Sequence, residues 1–165
     1  MGYSAKAIAN YFLDHYGDMK TSPKISPLKL QKLVYISHGW SLAILDEELV
    51  DDEYAEAWQY GPVFPSLYYE FKEFGRSPIN RNATDLRLSD FEYVTPKVEV
   101  SDEKSYALLN RIWEVYGEYT SVQLSNMTHK DGTPWRQARN EAKGMRNFHI
   151  DNEIIKNYYT ELANG

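Results

Sequence analysis

Between Ser26 and Asp46 the chain reads SPLKLQKLVYISHGWSLAILD, a helix start followed by apolar residues on nearly every helical face. Ser26 can bind the first free backbone N–H groups, and Pro27 suits the first helical position because its fixed φ is helical and its missing N–H is not needed there. Leu30, Leu33, Val34, Ser37, Trp40, Ser41 and Ile44 follow the i, i+3, i+4, i+7 spacing, while Leu28, Tyr35, Ile36, Leu42 and Leu45 make other faces apolar too. A helix apolar almost all round is a buried one, so this stretch predicts a central helix with other elements packed on several sides. The charged residues between Leu28 and Leu45 are Lys29 and Lys32. Three residues apart, they share a face near the amino end that is expected to reach solvent or a partner.

The flanking segments supply the covering elements. Ser4 to Tyr16 predicts a first helix with Ile8, Phe12, Leu13 and Tyr16 on one side, stopped by Gly17; the polar run from Asp18 to Lys24 then turns the chain toward Ser26. After an acidic stretch, Leu49-Val50 and Ala55 to Trp58 are expected to lie near each other as a small ribbon around a DDE turn, and Gly61-Pro62 reads as a further turn. Pro65 starts a helix to Gly75 with Leu67, Tyr68, Phe71 and Phe74 as its apolar face. Arg76 to Pro96 reads as a long, partly ordered loop whose scattered apolar residues let it lie along the body in irregular or extended pieces. Ser101 is expected to cap a helix ending at Gly117 with Leu109, Ile112, Trp113 and Tyr116 buried. Thr120 to Gln123 is a capping-box pattern, Thr133-Pro134 repeats the start seen at Ser26-Pro27, and Asp151 opens the last helix. The predicted fold class is mainly α: a compact single-domain helical bundle, residues 1–165, around a central buried helix, with a small β-ribbon.

Composition excludes several chemistries. Without cysteine there is no disulfide framework, thiolate metal site or cysteine nucleophile; without a signal-peptide pattern or long apolar span, the expectation is a cytoplasmic protein with no membrane role. His15, His38, His129 and His149 are far apart and form no H-E-x-x-H pair, and no phosphate loop, dinucleotide fingerprint or nucleophile elbow occurs. The acidic cluster from Asp46 to Glu53 lacks calcium-loop spacing and reads as a solvated turn. No catalytic, cofactor-binding or metal-binding residue is therefore assigned, and an enzyme is not expected. A net charge of −6 also argues against generic nucleic-acid binding. Even so, residues 120–146 have the outline of a helix-turn-helix, with Arg136, Arg139, Lys143 and Arg146 recurring at three- and four-residue spacing. A DNA-binding regulator using this segment is the alternative reading.

Three ordered blocks carry a family resemblance: SPLKLQKLVYISHGWSLA (26–43), AEAWQYGPVFPSLYYEFKEFG (55–75) and LSNMTHKDGTPWRQAR (124–139). Together they resemble the Panacea-domain, SocA-like antitoxin family, also labelled phage-associated protein. The resemblance covers nearly the whole chain. It implies a compact, mainly helical domain with no known cofactor that serves as the antitoxin of a two-gene system. Members of that family neutralise unrelated toxins by direct binding, and some act as adaptors delivering the toxin to a protease. The implied partners are thus a cognate protein toxin, expected from the neighbouring gene, and in some cases a protease.

Candidate partner-binding residues follow from where aromatic and charged residues concentrate. Trp58, Tyr60, Pro62 and Phe64 gather around one turn, a composition that suits either an interface hot spot or a plug in the core beside the central helix, and both can hold at once. Lys29 and Lys32 are expected to give that surface a basic rim. Trp135, beside Pro134 at a helix start, reads as a core anchor, while Arg136 and Arg139 are the more exposed candidates of the carboxy-terminal stripe.

Overall fold

Helix starts fall where a short polar side chain precedes a helix-compatible run, as the local chemistry requires. In the computed structural model, which describes residues 2–18 and 23–165, there are seven α-helices. They are α1 (Ala5–Tyr16), α2 (Pro27–Trp40), α3 (Pro65–Phe71), α4 (Glu103–Tyr116), α5 (Ser121–His129), α6 (Pro134–Ala142) and α7 (Asn152–Asn164). Two short antiparallel ribbons accompany them, β1 (Glu56–Trp58) with β2 (Gly61–Val63) and β3 (Asp85–Arg87) with β4 (Glu92–Val94). The fold is mainly α, as expected. Ser4, Ser26, Thr120, Thr133 and Asp151 cap their helices with side-chain oxygens, and Thr120 with Gln123 forms the complete capping box. Asp102 caps α4 in place of the expected Ser101, accepting from the Ser105 N–H. Helix α3 has no local side-chain cap; instead the Glu53 carboxylate, from the acidic stretch, accepts from the backbone N–H and hydroxyl of Ser66. Residues 19–22 of the expected 18–24 turn lie outside the described residues.

Helix α2 is the centre of the molecule. Leu30, Leu33, Val34, Tyr35 and Ile36 are buried, and α1, α3, α4, α5 and α7 all pack on it. The flanking helices expected to cover it do so, with α5 and α7 adding to the cover from α1, α3 and α4. Gly39 permits the close approach of α7, since a Cβ there would stand 2.2 Å from the Tyr159 ring. From Ser41 to Leu45 the helix continues as a π-turn, whose wider i→i+5 pattern shifts the phase of the side chains. This overturns the expected burial of Ile44, which is 61% exposed, while Leu42 turns inward. Trp40 is half-buried, its indole N–H donating to the Tyr116 hydroxyl at 3.0 Å.

The first ribbon differs from expectation in its pairing. Leu49-Val50 does not join it: Val50 bridges Tyr3 instead, and β1 pairs with the Gly61-Pro62-Val63 segment that read as a turn. Proline is tolerated because Pro62 faces Ala57, whose N–H points to the opposite edge and donates to the Phe148 carbonyl at 2.8 Å. That edge of β1 is thus paired with residues 148–150 as well.

The expected loop from Arg76 onward contains the second ribbon, Leu86 opposite Tyr93. Its base is fixed by Asn10, buried in α1, whose amide donates to the Ala83 and Pro96 carbonyls and whose oxygen accepts from the Ala83 N–H. Beyond that base Leu86, Leu88, Phe91 and Tyr93 are exposed, Phe91 to 75%. Among the described residues no helix is long and apolar enough to cross a membrane.

Candidate partner-binding site

The three sequence blocks meet at one place, and the residue at its centre is a cation. Lys32 lies on the α2 face against β2 and is fully buried, 0% exposed, with its ammonium donating to the Pro62 carbonyl at 2.9 Å. No carboxylate among the described residues pairs with it, and burial alone pushes its pKa down from 10.5 to about 7. Gly61 is what admits it: at φ +125° a Cβ would stand 2.8 Å from Lys32 Nζ and 2.9 Å from His129 Nε2. The His129 ring, at the end of α5, is tilted against Trp135 with centroids 4.4 Å apart. Its pKa is lowered mainly by burial, then by the Lys32 and Arg136 cations, against the opposing pull of the Tyr60 backbone.

This joint locks the β1–β2 ribbon between α2 and the α5–α6 pair. The Trp135 indole donates to the Trp58 carbonyl at 2.7 Å, Arg139 to the Ala57 carbonyl at 3.2 Å, and Ser125 to the Tyr60 carbonyl at 3.4 Å. Gln31, a residue that helical spacing did not single out, takes the place of a strand partner. Its side-chain amide donates to the Phe64 carbonyl and accepts from the Phe64 N–H, both at 3.0 Å.

The expected basic rim is corrected by these positions. Lys29 is buried, its ammonium donating to the Gly117 carbonyl at 2.5 Å, beyond the last turn of α4, and standing over the Trp113 ring. Lys32 is buried as described, so neither lysine presents charge to solvent. Each donates to a buried backbone carbonyl on another element: Lys29 to Gly117, at the end of α4, and Lys32 to Pro62, in the middle of β2. Pro62 and Phe64 are buried as well and belong to the core face of the turn. Tyr60, at the apex, is 72% exposed, and Trp58 is half-buried with its indole N–H on Glu56. Trp135 is buried, as read; Arg136 and Arg139 are half-buried, Arg136 lying over the Trp135 ring and donating to the His129 carbonyl.

Other titratable residues are distributed. His15 stacks on Tyr11, His149 stacks on Tyr54, and His38 is buried between Val50 and Asn152. Among the described residues no three His, Asp or Glu side chains are grouped to hold a metal ion. Within the acidic stretch, Asp46 pairs with Lys156 at 2.5 Å and Glu47 with Lys104 at 3.0 Å, which ties it to α7 and α4.

A mainly helical domain in which a buried lysine, a positive-φ glycine and a histidine clamp an aromatic turn is the class that fold and site define. The family described as Antitoxin SocA-like, Panacea domain, matches residues 30–136, which run from α2 through the Trp135 and Arg136 side of the joint. Antitoxin SocA of Caulobacter vibrioides (strain NA1000 / CB15N) is 33% identical over 132 residues, covering 79% of this chain and 68% of that protein. The chain belongs to the SocA-like, Panacea-domain antitoxin family. No solved structure matches it.

Proposed function

We propose that this protein is the antitoxin of a two-gene pair and that it neutralises a cognate protein toxin, the product of the neighbouring gene, by binding it directly. The observation that carries the reading is the family match, which begins within the first of the three blocks that build the joint and ends within the third. The joint supports it physically, because a turn held by Lys32, Gln31, Trp135 and Arg139 can present Tyr60 to a partner with little ordering cost on binding. Docking is placed on the exposed side of this turn, around Trp58 and Tyr60, with Arg136 and Arg139 beside it. Delivery of the bound toxin to a protease is the finer form of the same reading. The DNA-binding alternative is disfavoured because Arg136 is taken up by the His129 carbonyl and Asp131, and a chain of net charge −6 offers few cations for a phosphate track.

The deciding experiment expresses the neighbouring gene alone and together with this protein. Growth arrest by the first and protection by the second are expected, with the two proteins co-purifying and with Tyr60→Ala weakening protection in a chain that still folds. A longer toxin lifetime when the cell's ATP-dependent protease is removed supports the adaptor form. No protection, together with a gel shift of the chain's own promoter at near-physiological salt, overturns the antitoxin reading in favour of the regulator.

A further inference from the structure

An open groove of about 610 Å³ runs beside the β1–β2 turn, between β1, α3 and the segment that follows α6. One wall is aromatic. The Trp58 and Tyr68 rings meet edge to face at 4.9 Å, Tyr68 meets Tyr69 edge to face at 5.4 Å, and the Trp58 indole is held by its bond to Glu56. Tyr68 was expected on the apolar face of its helix; Leu67 and Phe71 take that face, which leaves Tyr68 and Tyr69 exposed, Tyr69 to 63%.

The groove is also lined by two arginines, Arg139 from α6 and Arg146 from the following loop. Arg139 is oriented by its bond to the Ala57 carbonyl. Arg146 makes no side-chain hydrogen bond or ion pair among the described residues. Among the described residues neither guanidinium has a carboxylate within ion-pair distance, in a chain with 24 acidic residues against 18 basic ones. Two unneutralised guanidiniums beside a row of exposed rings match a ligand that brings its own carboxylates together with apolar side chains, because a guanidinium fork takes a carboxylate through two parallel hydrogen bonds and the rings take apolar groups. Trp, Tyr and Arg are also the residue types that dominate binding energy at protein interfaces.

Resting on the antitoxin reading, we infer that this groove is the docking site for an acidic peptide segment of the toxin, with its carboxylates on Arg139 and Arg146 and an adjacent apolar side chain against Tyr68 and Tyr69. The volume lies within the range of ligand pockets, about 300–1,000 Å³, and suits a few residues of a segment. A nucleic-acid strand is the poorer fit, since two arginines on a chain of net charge −6 neutralise too few phosphates to hold one.

The test has two arms, both with the full chain. In the first, fluorescence anisotropy follows three labelled probes: an acidic-apolar peptide (EFDLE), its amide counterpart (QFNLQ) and a short oligothymidylate. The acidic peptide should bind at least about tenfold more tightly than the amide one, weaken as salt is raised, and lose about tenfold on Arg146→Gln and on Tyr69→Ala, neither of which removes a buried contact. Equal binding of the two peptides, tighter binding of the oligothymidylate, or no effect of Arg146→Gln overturns the groove assignment. In the second arm, an Arg146→Glu, Tyr69→Ala double variant should fail to protect against the neighbouring gene product. If the double variant protects as well as the parent chain, the groove assignment falls and the antitoxin reading stands. If the parent chain itself does not protect, the antitoxin reading falls, and the peptide arm still decides whether the groove takes an acidic segment.

Discussion

Lys32 is a residue whose charge disfavours the fold that contains it. Its ammonium is buried, has one carbonyl partner, and carries a pKa pushed down to about 7 by loss of solvent. The sign follows directly: the folded state favours the neutral amine, so the stability tied to this group is fully present above the unfolded value of 10.5 and is lost as pH falls toward 7. The difference is of the order of 5 kcal/mol across that window. Lys32→Met keeps the length and removes the charge, so the urea midpoints of variant and parent should converge as pH is raised from neutral to about 10, with the variant at least as stable near pH 7. Parallel curves over that range would show that Lys32 stays charged and solvated in the folded state, with no shift on folding. From the sequence this residue was placed on an outward face, since a charge at helical spacing is normally solvated. What the linear pattern could not contain is Gly61, 29 positions away by number, whose missing side chain makes the space.

Among elements, the join from β2 to α3 depends on a side chain from a third one. Gln31 on α2 supplies both hydrogen bonds that Phe64 would otherwise have made in a wider sheet. Gln31→Leu conserves bulk but leaves the buried Phe64 N–H unpaired, while the Phe64 carbonyl keeps its α3 donors Leu67 and Tyr68, and the expected cost is ~1–3 kcal/mol in chemical denaturation. A loss below about 0.5 kcal/mol would mean that water or a backbone shift replaces the amide. The helices themselves were legible because caps and stops act locally: Ser4, Ser26, Thr120, Thr133 and Asp151 each cap where they were read. The ribbons were legible only in part: the strand read at Ala55 to Trp58 is β1, but its partner and the second ribbon were not read. Three-residue strands have no periodicity to detect, and Gly61-Pro62, a turn signal by composition, becomes a strand only because its partner Ala57 directs its N–H the other way. The second ribbon turns through Phe91 at φ 57°, a conformation that no turn residue in the sequence announced.

At the scale of the whole molecule, His38 joins three distant parts of the chain. From α2, its Nδ1 accepts from the Val50 N–H at 3.1 Å while Nε2 bonds the Asn152 side-chain oxygen of α7 at 2.9 Å, so the ring must be neutral with its proton on Nε2. Burial holds its pKa below the ordinary histidine value, outweighing the opposing pull of Asn152 and Glu48. Because the folded value is the lower one, the stability from this group is present above the unfolded value of 6.5 and is lost as pH falls below it. Thermal midpoints of the parent chain should therefore drop more between pH 7.5 and pH 5 than those of His38→Gln, and an equal drop in both would remove His38 from the account.

The sequence by itself determined the central helix, the order of its neighbours and most of their caps, the mainly α class and, through three ordered blocks, the family. Those properties are written in short-range chemistry and in apolar periodicity, which a linear chain displays. Only the tertiary structure decided which cations are buried and which are free, which strand pairs with which, and that Trp58, Tyr68, Arg139 and Arg146 line one groove. These depend on contacts between residues tens of positions apart, where a backbone carbonyl without a partner, a missing Cβ or a change of helical phase at Ser41 sets the direction of a side chain.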